Sequence, residues 1–218
     1  MDTYTTIVQF FQKGGFFMYP ILGIFALGTA IAIERYIYLT VMRSTNRHLW
    51  NQLMPLLRDG RLREAQQMVS KSSSALSRIV AYGLARMTRT HRRDDLETAM
   101  EEGLMEVMPR LEKRTPYIAT FANLATLLGL LGTIIGLINA FTAVAKADPS
   151  VKADMLSSSI SVAMNTTAFG LIVAIPLLLI YAVIQAKTTE IVDSLEMATV
   201  KFVNTVHEQK PAAQAKPK

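Results

Sequence analysis

Two stretches of this chain, Ile118 to Val144 and Ile160 to Ile184, contain no charged side chain, and both carry glycines and threonines at helical spacing. A helix needs about 20 predominantly apolar residues to cross a hydrocarbon core, so each run is long enough. A third run, Phe16 to Ile33, reaches the same length before Glu34 and Arg35 close it. Backbone polar groups cannot stay open in lipid, which leaves helices as the form for such runs. The expected fold class is an all-α integral membrane protein with three transmembrane helices, two of them extended into long cytoplasmic helices.

Charge supplies the orientation. Lysine and arginine outnumber acids 23 to 17, and fourteen of the basic residues fall between Arg43 and Arg114. Only Lys13 precedes the first span, and only Lys146 and Lys152 lie between the last two. Basic loops stay inside, so the N-terminus is expected outside and the C-terminus inside. Nucleic-acid binding is not expected, because a basic patch for that purpose wants interleaved aromatics and the 43–116 segment offers Trp50 and Tyr82 among nine acids. Ala30-Ile31-Ala32 has the small-x-small form of a signal cleavage site. The apolar run exceeds the usual signal core and lacks a basic cluster before it, so the first span is expected to be retained.

The resulting segments are an interfacial helix at 1–15, a first span at 16–42, an internal helical segment at 43–115, a second span at 116–144, an external loop at 145–158, a third span at 159–185, an internal helix at 186–208 and a disordered tail at 209–218. Ile7, Phe10 and Phe11 share one face of the first helix. The internal segment divides into helices at about Thr45–Leu57, Arg61–Ser70 and Leu76–Thr90. Asp94 and Glu97 have capping-box form. The helix they start is expected to run through Pro109 and Pro116 into span two as a bent rod, since each proline removes an N–H. After span three, Ile191, Leu195, Ala198, Phe202 and Val206 form one apolar stripe.

Functional candidates lie inside the spans. Asn123, Thr126, Gly129, Gly132, Thr133, Gly136 and Ala140 fall on adjoining strips of span two, and Gly132 and Gly136 make a GxxxG. Ser159, Ala163, Thr166, Thr167, Gly170 and Ala174 form a matching strip on span three, with Asn165 beside it and Pro176 below. Small residues permit close helix approach in lipid. The plainer reading is that the threonines bond carbonyls one turn back and the glycines only pack. Facing polar strips read instead as a substrate or ion pathway. Neither span holds an Asp, Glu, Lys, Arg or His, so if protons or cations cross here the titratable or anionic group must come from another chain. Glu34 and Arg35 at the membrane edge read as a structural salt bridge or headgroup contact. His48, His91 and His207 have no metal spacing, no nucleophile or phosphate-loop motif occurs, and cysteine is absent. No enzyme activity, metal or cofactor is expected.

The runs Thr126-Leu-Leu-Gly-Leu-Leu-Gly-Thr-Ile-Ile-Gly-Leu-Ile-Asn-Ala-Phe141 and Thr166-Thr-Ala-Phe-Gly-Leu-Ile-Val-Ala-Ile-Pro-Leu-Leu-Leu-Ile-Tyr181 resemble the ExbB/TolQ/MotA family. Lys13-Gly-Gly, Met18-Tyr-Pro, Ile33-Glu-Arg and Pro109-Arg-Leu-Glu-Lys add to the likeness, which covers most of residues 10–200. Three spans and an external N-terminus bring the chain closest to the ExbB/TolQ branch. The resemblance implies a pentamer in the bacterial inner membrane, with a periplasmic N-terminus, enclosing a dimer of single-span ExbD/TolR-like partners. A transmembrane aspartate of that partner would carry the ion past Thr133 and Thr167. Work would pass to a TonB/TolA-like or other envelope-spanning protein. Two positions depart from the family pattern: Val162 stands where a glutamate is usual, and Thr126 where proline is frequent. The missing glutamate keeps a sodium-driven version open beside a proton-driven one, together with a non-conducting scaffold of the same fold. A solute permease would show broken helices or paired half-repeats, which the sequence lacks.

Overall fold

The computed structural model describes residues 10–11, 14–90 and 92–214, with side chains through residue 208. The described residues are helical apart from short connections. Six helices follow in order: α1 (Met18–Arg58), α2 (Leu62–Lys71), α3 (Ala75–Met87), α4 (Arg93–Glu112), α5 (Thr115–Lys146) and α6 (Lys152–Gln214). Stretches within Met18–Arg58, Arg93–Lys146 and Lys152–Glu208 are long and apolar enough to cross a membrane. The chain forms two compact units, one of Met1–Glu34 and Arg114–Ile184, the other of Arg35–Lys113 and Gln185–Lys218.

The termini of these helices follow local chemistry. Pro20 sits in the first turn of α1, where no intrahelical N–H bond is lost. The other end closes at Gly60, whose φ of 70° suits a residue without Cβ. Beyond it the Arg61 N–H reaches back to the Leu56 carbonyl at 2.9 Å. No residue from Ile33 to Met54 is a glycine or proline, and α1 passes through Pro55 as well, running as one helix of 41 residues. The separate piece expected at Thr45–Leu57 is therefore its continuation. Ser74 caps α3 by accepting from the Ser77 N–H at 3.0 Å.

Two expectations around α4 need correction. Asp94 does not cap it. Arg92 holds the cap position without a side-chain bond, and Asp94 and Asp95 lie in the first turn, where carboxylates favour the helix dipole. Glu97 accepts from Arg93 at 2.7 Å instead. Nor does α4 continue into α5: it passes through Pro109 but stops at Glu112, and Arg114 takes a left-handed φ of 66° before α5 begins. Pro116 occupies the start of α5, where proline is tolerated, and disfavours helical geometry just upstream.

In the first unit, Met18, Ile21, Ile118, Ala122, Ala125, Ala163, Val173 and Leu177 are buried. Leu127, Ile134, Ile138 and Phe141 of α5 and Leu171, Ile172 and Leu179 of α6 stand exposed. An apolar surface of that extent suits lipid or another subunit. In the second unit, α3 packs on α4, and Met100, Ile79, Leu111, Leu195 and Phe202 are buried. The stripe on α6 lies inward there, with Ile191, Leu195, Ala198 and Phe202 buried and Val206 half-buried. Helix α6 continues to Gln214 through Ala212 and Ala213, beyond the expected end at 208, as alanine's helix preference allows. Residues 215–218 of the expected tail lie outside the described residues. So does most of the expected interfacial helix at 1–15; of its apolar face, Phe10 and Phe11 set their rings edge-on to Phe169 at 6.4 and 5.6 Å.

Candidate functional site

Within the first unit the small residues of α5 and α6 form one seam. A methyl group added at Gly170 would lie 2.7 Å from the Ala125 carbonyl oxygen and 3.1 Å from the Gly129 Cα. One added at Gly129 would lie 3.3 Å from the Gly170 Cα, and one at Gly136 would lie 2.9 Å from the Ala163 Cβ. Gly132 makes room for Thr166, whose Cγ2 would stand 2.5 Å from an added methyl. The two backbones meet with almost no side chain between them. The GxxxG of span two therefore packs on span three of its own chain.

Close approach brings hydroxyls to a carbonyl. Thr133 Oγ1 donates to the Gly129 carbonyl at 3.1 Å, Thr167 Oγ1 donates to the same carbonyl at 2.9 Å, and the two hydroxyls touch each other. Three oxygens thus share two protons, and each hydroxyl has one to give. Only two of the three contacts are hydrogen bonds at once, which leaves lone pairs open. Both threonines are half-buried, and their cluster contains no charged group.

Thr166 has a different role. It is buried, and its hydroxyl lies 2.6 Å from the Gly14 carbonyl and 2.9 Å from that of Val162, tying α6 to the segment before α1. Val162, where the family pattern has an acid, lies near Gly15, its Cγ1 3.3 Å from where a glycine Cβ would be. Gly15 has a φ of 73°, a left-handed conformation that favours glycine. Asn165 is half-buried, and no hydrogen bond joins it to the threonine cluster. Thr126 is exposed and bonds the Ala122 carbonyl one turn back at 3.2 Å. Asn123 and Pro176 are also exposed, Ser159 is half-buried, and Ala140 and Ala174 are buried. The structure therefore gathers Thr133 and Thr167, makes Thr166 a strut, and sets Thr126 and Asn165 apart from them.

The membrane-edge pair separates. In the first unit Glu34 accepts from Arg114 Nη1 at 3.0 Å, so the salt bridge forms with Arg114 as partner. In the second unit Arg35 is 3% exposed; its guanidinium donates to the Leu111 carbonyl and lies 4.7 Å from the Tyr38 ring centroid. Two participants were not legible as side-chain motifs. The Gly129 and Gly14 carbonyls are backbone groups, and only the small residues around them hint at their use. Thr29 of α1 carries a buried hydroxyl with no hydrogen-bond partner among the described residues.

A family model described as the MotA/TolQ/ExbB proton channel family matches residues 71–197. An ExbB homolog of Methanothermobacter thermautotrophicus is 29% identical over 199 residues, spanning 90% of this chain and 69% of that protein. The biopolymer transport protein exbB1 of Vibrio cholerae is 29% identical over 179 residues, spanning 78% of this chain and 75% of that one. In fold, the chain is similar to the structure of C. jejuni MotAB, with a TM-score of 0.56 at 15% identity over 86% of this chain and 75% of the other.

Proposed function

The chain belongs to the MotA/TolQ/ExbB proton channel family, on the ExbB/TolQ branch, and from that premise we propose that it is the channel and motor subunit of a pentameric inner-membrane complex. Its N-terminus is periplasmic and its C-terminus cytoplasmic. Two single-span ExbD/TolR-like partners occupy the centre, and each brings a transmembrane aspartate. Ion passage past this chain moves the two assemblies against each other. A TonB/TolA-like or other envelope-spanning protein receives the work.

The observation that carries this reading is the meeting of Thr133, Thr167 and the Gly129 carbonyl within two apolar runs, Ile118 to Val144 and Ile160 to Ile184, that hold no acid of their own. A carboxylate arriving from another chain finds hydroxyl donors when it is charged and oxygen acceptors when it is protonated. Either state is therefore solvated while water is excluded, and the barrier to exchanging a proton falls. One elementary charge crossing about 100 mV releases roughly 2.3 kcal/mol, so several ions per cycle suffice for mechanical work.

Replacing Thr133 or Thr167 by valine keeps the shape and removes the hydroxyl. In proteoliposomes of the full complex, each change is expected to lower proton flux by about tenfold or more. Undiminished work on the envelope in both variants would identify a non-conducting scaffold instead. The presence of Val162 rather than an acid, beside a cluster of neutral oxygens, favours a second reading in which the ion is sodium, a hard cation that accepts such ligands. A sodium series at fixed proton-motive force separates the two: activity indifferent to sodium eliminates the sodium reading.

A further inference from the structure

In the second unit, α1 and α6 run side by side along a seam of charged and aromatic residues. At one end Lys187 lies 4.0 Å from the Tyr36 ring centroid and donates to Thr40 Oγ1 at 2.6 Å. One turn further, Arg43 is ion-paired with Glu190. Beyond that pair the seam opens into a cavity of about 370 Å³, a volume in the range of small-ligand sites.

Its polar lining is one-sided. Arg43, Arg47 and Lys201 face a single acid, Glu190, which Arg43 already occupies. Arg47 and Lys201 have no ion-pair partner among the described residues. Asn46, 5% exposed, also lines the cavity. Its Oδ1 accepts from the Leu76 backbone N–H at 3.2 Å. That contact fixes the amide, because a backbone N–H can only donate, and it leaves Nδ2 buried without an acceptor. A buried donor of this kind is destabilising unless something pairs with it. Two free cations, one orphaned amide and no free acid call for an anion.

We propose that this cavity binds the phosphate headgroup of an anionic phospholipid. Tyr36, Ile37 and Val41, each at least half exposed, precede Arg43 on the same helix and offer an apolar path for an acyl chain. Leu76, Leu195 and Met197 supply apolar lining below, and the Trp50 ring supplies the amphipathic surface typical of headgroup depth. The Asn46 amide and the Arg47 guanidinium meet the phosphate oxygens, and Lys201 closes the far side. This site is independent of the threonine cluster and does not require ion conduction.

Trp50 is the only tryptophan in the chain and lines this cavity, so its fluorescence reports on it. Full-length protein in phosphatidylcholine nanodiscs, titrated with brominated phosphatidylglycerol, is expected to show saturable quenching at a mole fraction about tenfold below that needed with brominated phosphatidylcholine. Arg47→Gln with Lys201→Gln should abolish the preference, and both positions are exposed, so the fold is kept. Asn46→Asp, which retains an oxygen for the Leu76 N–H but removes the donor, should abolish it as well. Equal quenching by the two lipids, or a preference untouched by these substitutions, overturns the proposal. Displacement of the brominated lipid by inorganic phosphate alone would overturn the lipid source and assign the cavity to a free anion.

Discussion

The two units solve the same packing problem with opposite materials. In the first, α5 and α6 meet through Gly129, Gly132, Gly136, Ala163 and Gly170, and threonine hydroxyls bond directly to main-chain carbonyls. In the second, α3, α4 and α6 meet through Ile79, Met100 and Phe202. The rim there carries Arg78 with Glu106 and Arg86 with Glu102, both at 3.7 Å. Where lipid surrounds the helices there is no hydrophobic drive between them, so close contact and internal hydrogen bonding must hold the pair. Where water surrounds them, burial of large side chains supplies the drive, and exposed ion pairs add little. The threonines of the first unit therefore bond where the helices meet, whereas the ion pairs of the second stand at its rim.

The contrast breaks first at Phe202, which is fully buried in the second unit. Phe202→Ala is expected to cost about 3–5 kcal/mol, read as loss of helicity on heating in detergent. Gly170→Ala tests the other unit, since its new methyl would meet the backbone of Ala125 and Gly129, which cannot rotate away. A cost of about 1–3 kcal/mol follows from overpacking, with loss of the Thr133–Thr167 contact and of ion flux. Gly23, with nothing within 4 Å of an added methyl, is the matched control. Gly23→Ala should leave thermal unfolding unchanged or improve it by up to about 1 kcal/mol. Between these falls a pair in the second unit. Gly103→Ala would meet the Ile79 Cα, a backbone atom, at 2.9 Å, while Gly83→Ala would meet only side chains, those of Met100 and Phe202, so Gly103→Ala should be the more damaging in the same assay.

The smallest effect concerns pH. Tyr82 donates to Glu106 at 2.7 Å, and that bond, followed by the negative charge of Glu106, holds the phenol above its ordinary value of 10.0. The folded state thus retains this proton longer than the unfolded state does. Any contribution to stability is fully present below the ordinary value and disappears as pH rises through the raised one. Subtracting the phenolate absorbance titration of Tyr82→Phe from that of the parent should reveal one late-ionising tyrosine, and Glu106→Gln should bring it back toward 10.0.

Much of this arrangement was legible in advance. Long uncharged runs leave few alternatives to spans, and small residues at helical spacing announce close approach, so the seam follows from pattern, while the choice of Thr133 and Thr167 among its threonines rests on the family resemblance. The break at Arg114 does not: a left-handed arginine in Lys113-Arg114 looks like ordinary basic sequence, and only Pro116 two residues later hints at it. The continuity of α1 through Thr45 was missed because a change of composition from apolar to charged was taken for a change of structure, and a helix backbone is indifferent to that boundary. Thr166 bonding Gly14 lay out of reach for another reason, since it joins an ordinary threonine to a carbonyl 152 positions away. Backbone partners leave no trace in side-chain patterns.

Three oxygens sharing two protons at Thr133, Thr167 and Gly129 have a further consequence. The bond between the two threonines can be drawn with either as donor, and exchanging these pictures requires only that hydroxyls swivel while every heavy atom stays still. Such a node has no built-in polarity: its heavy atoms fix neither threonine as the donor, and the choice is left to whatever polar group comes to stand beside it.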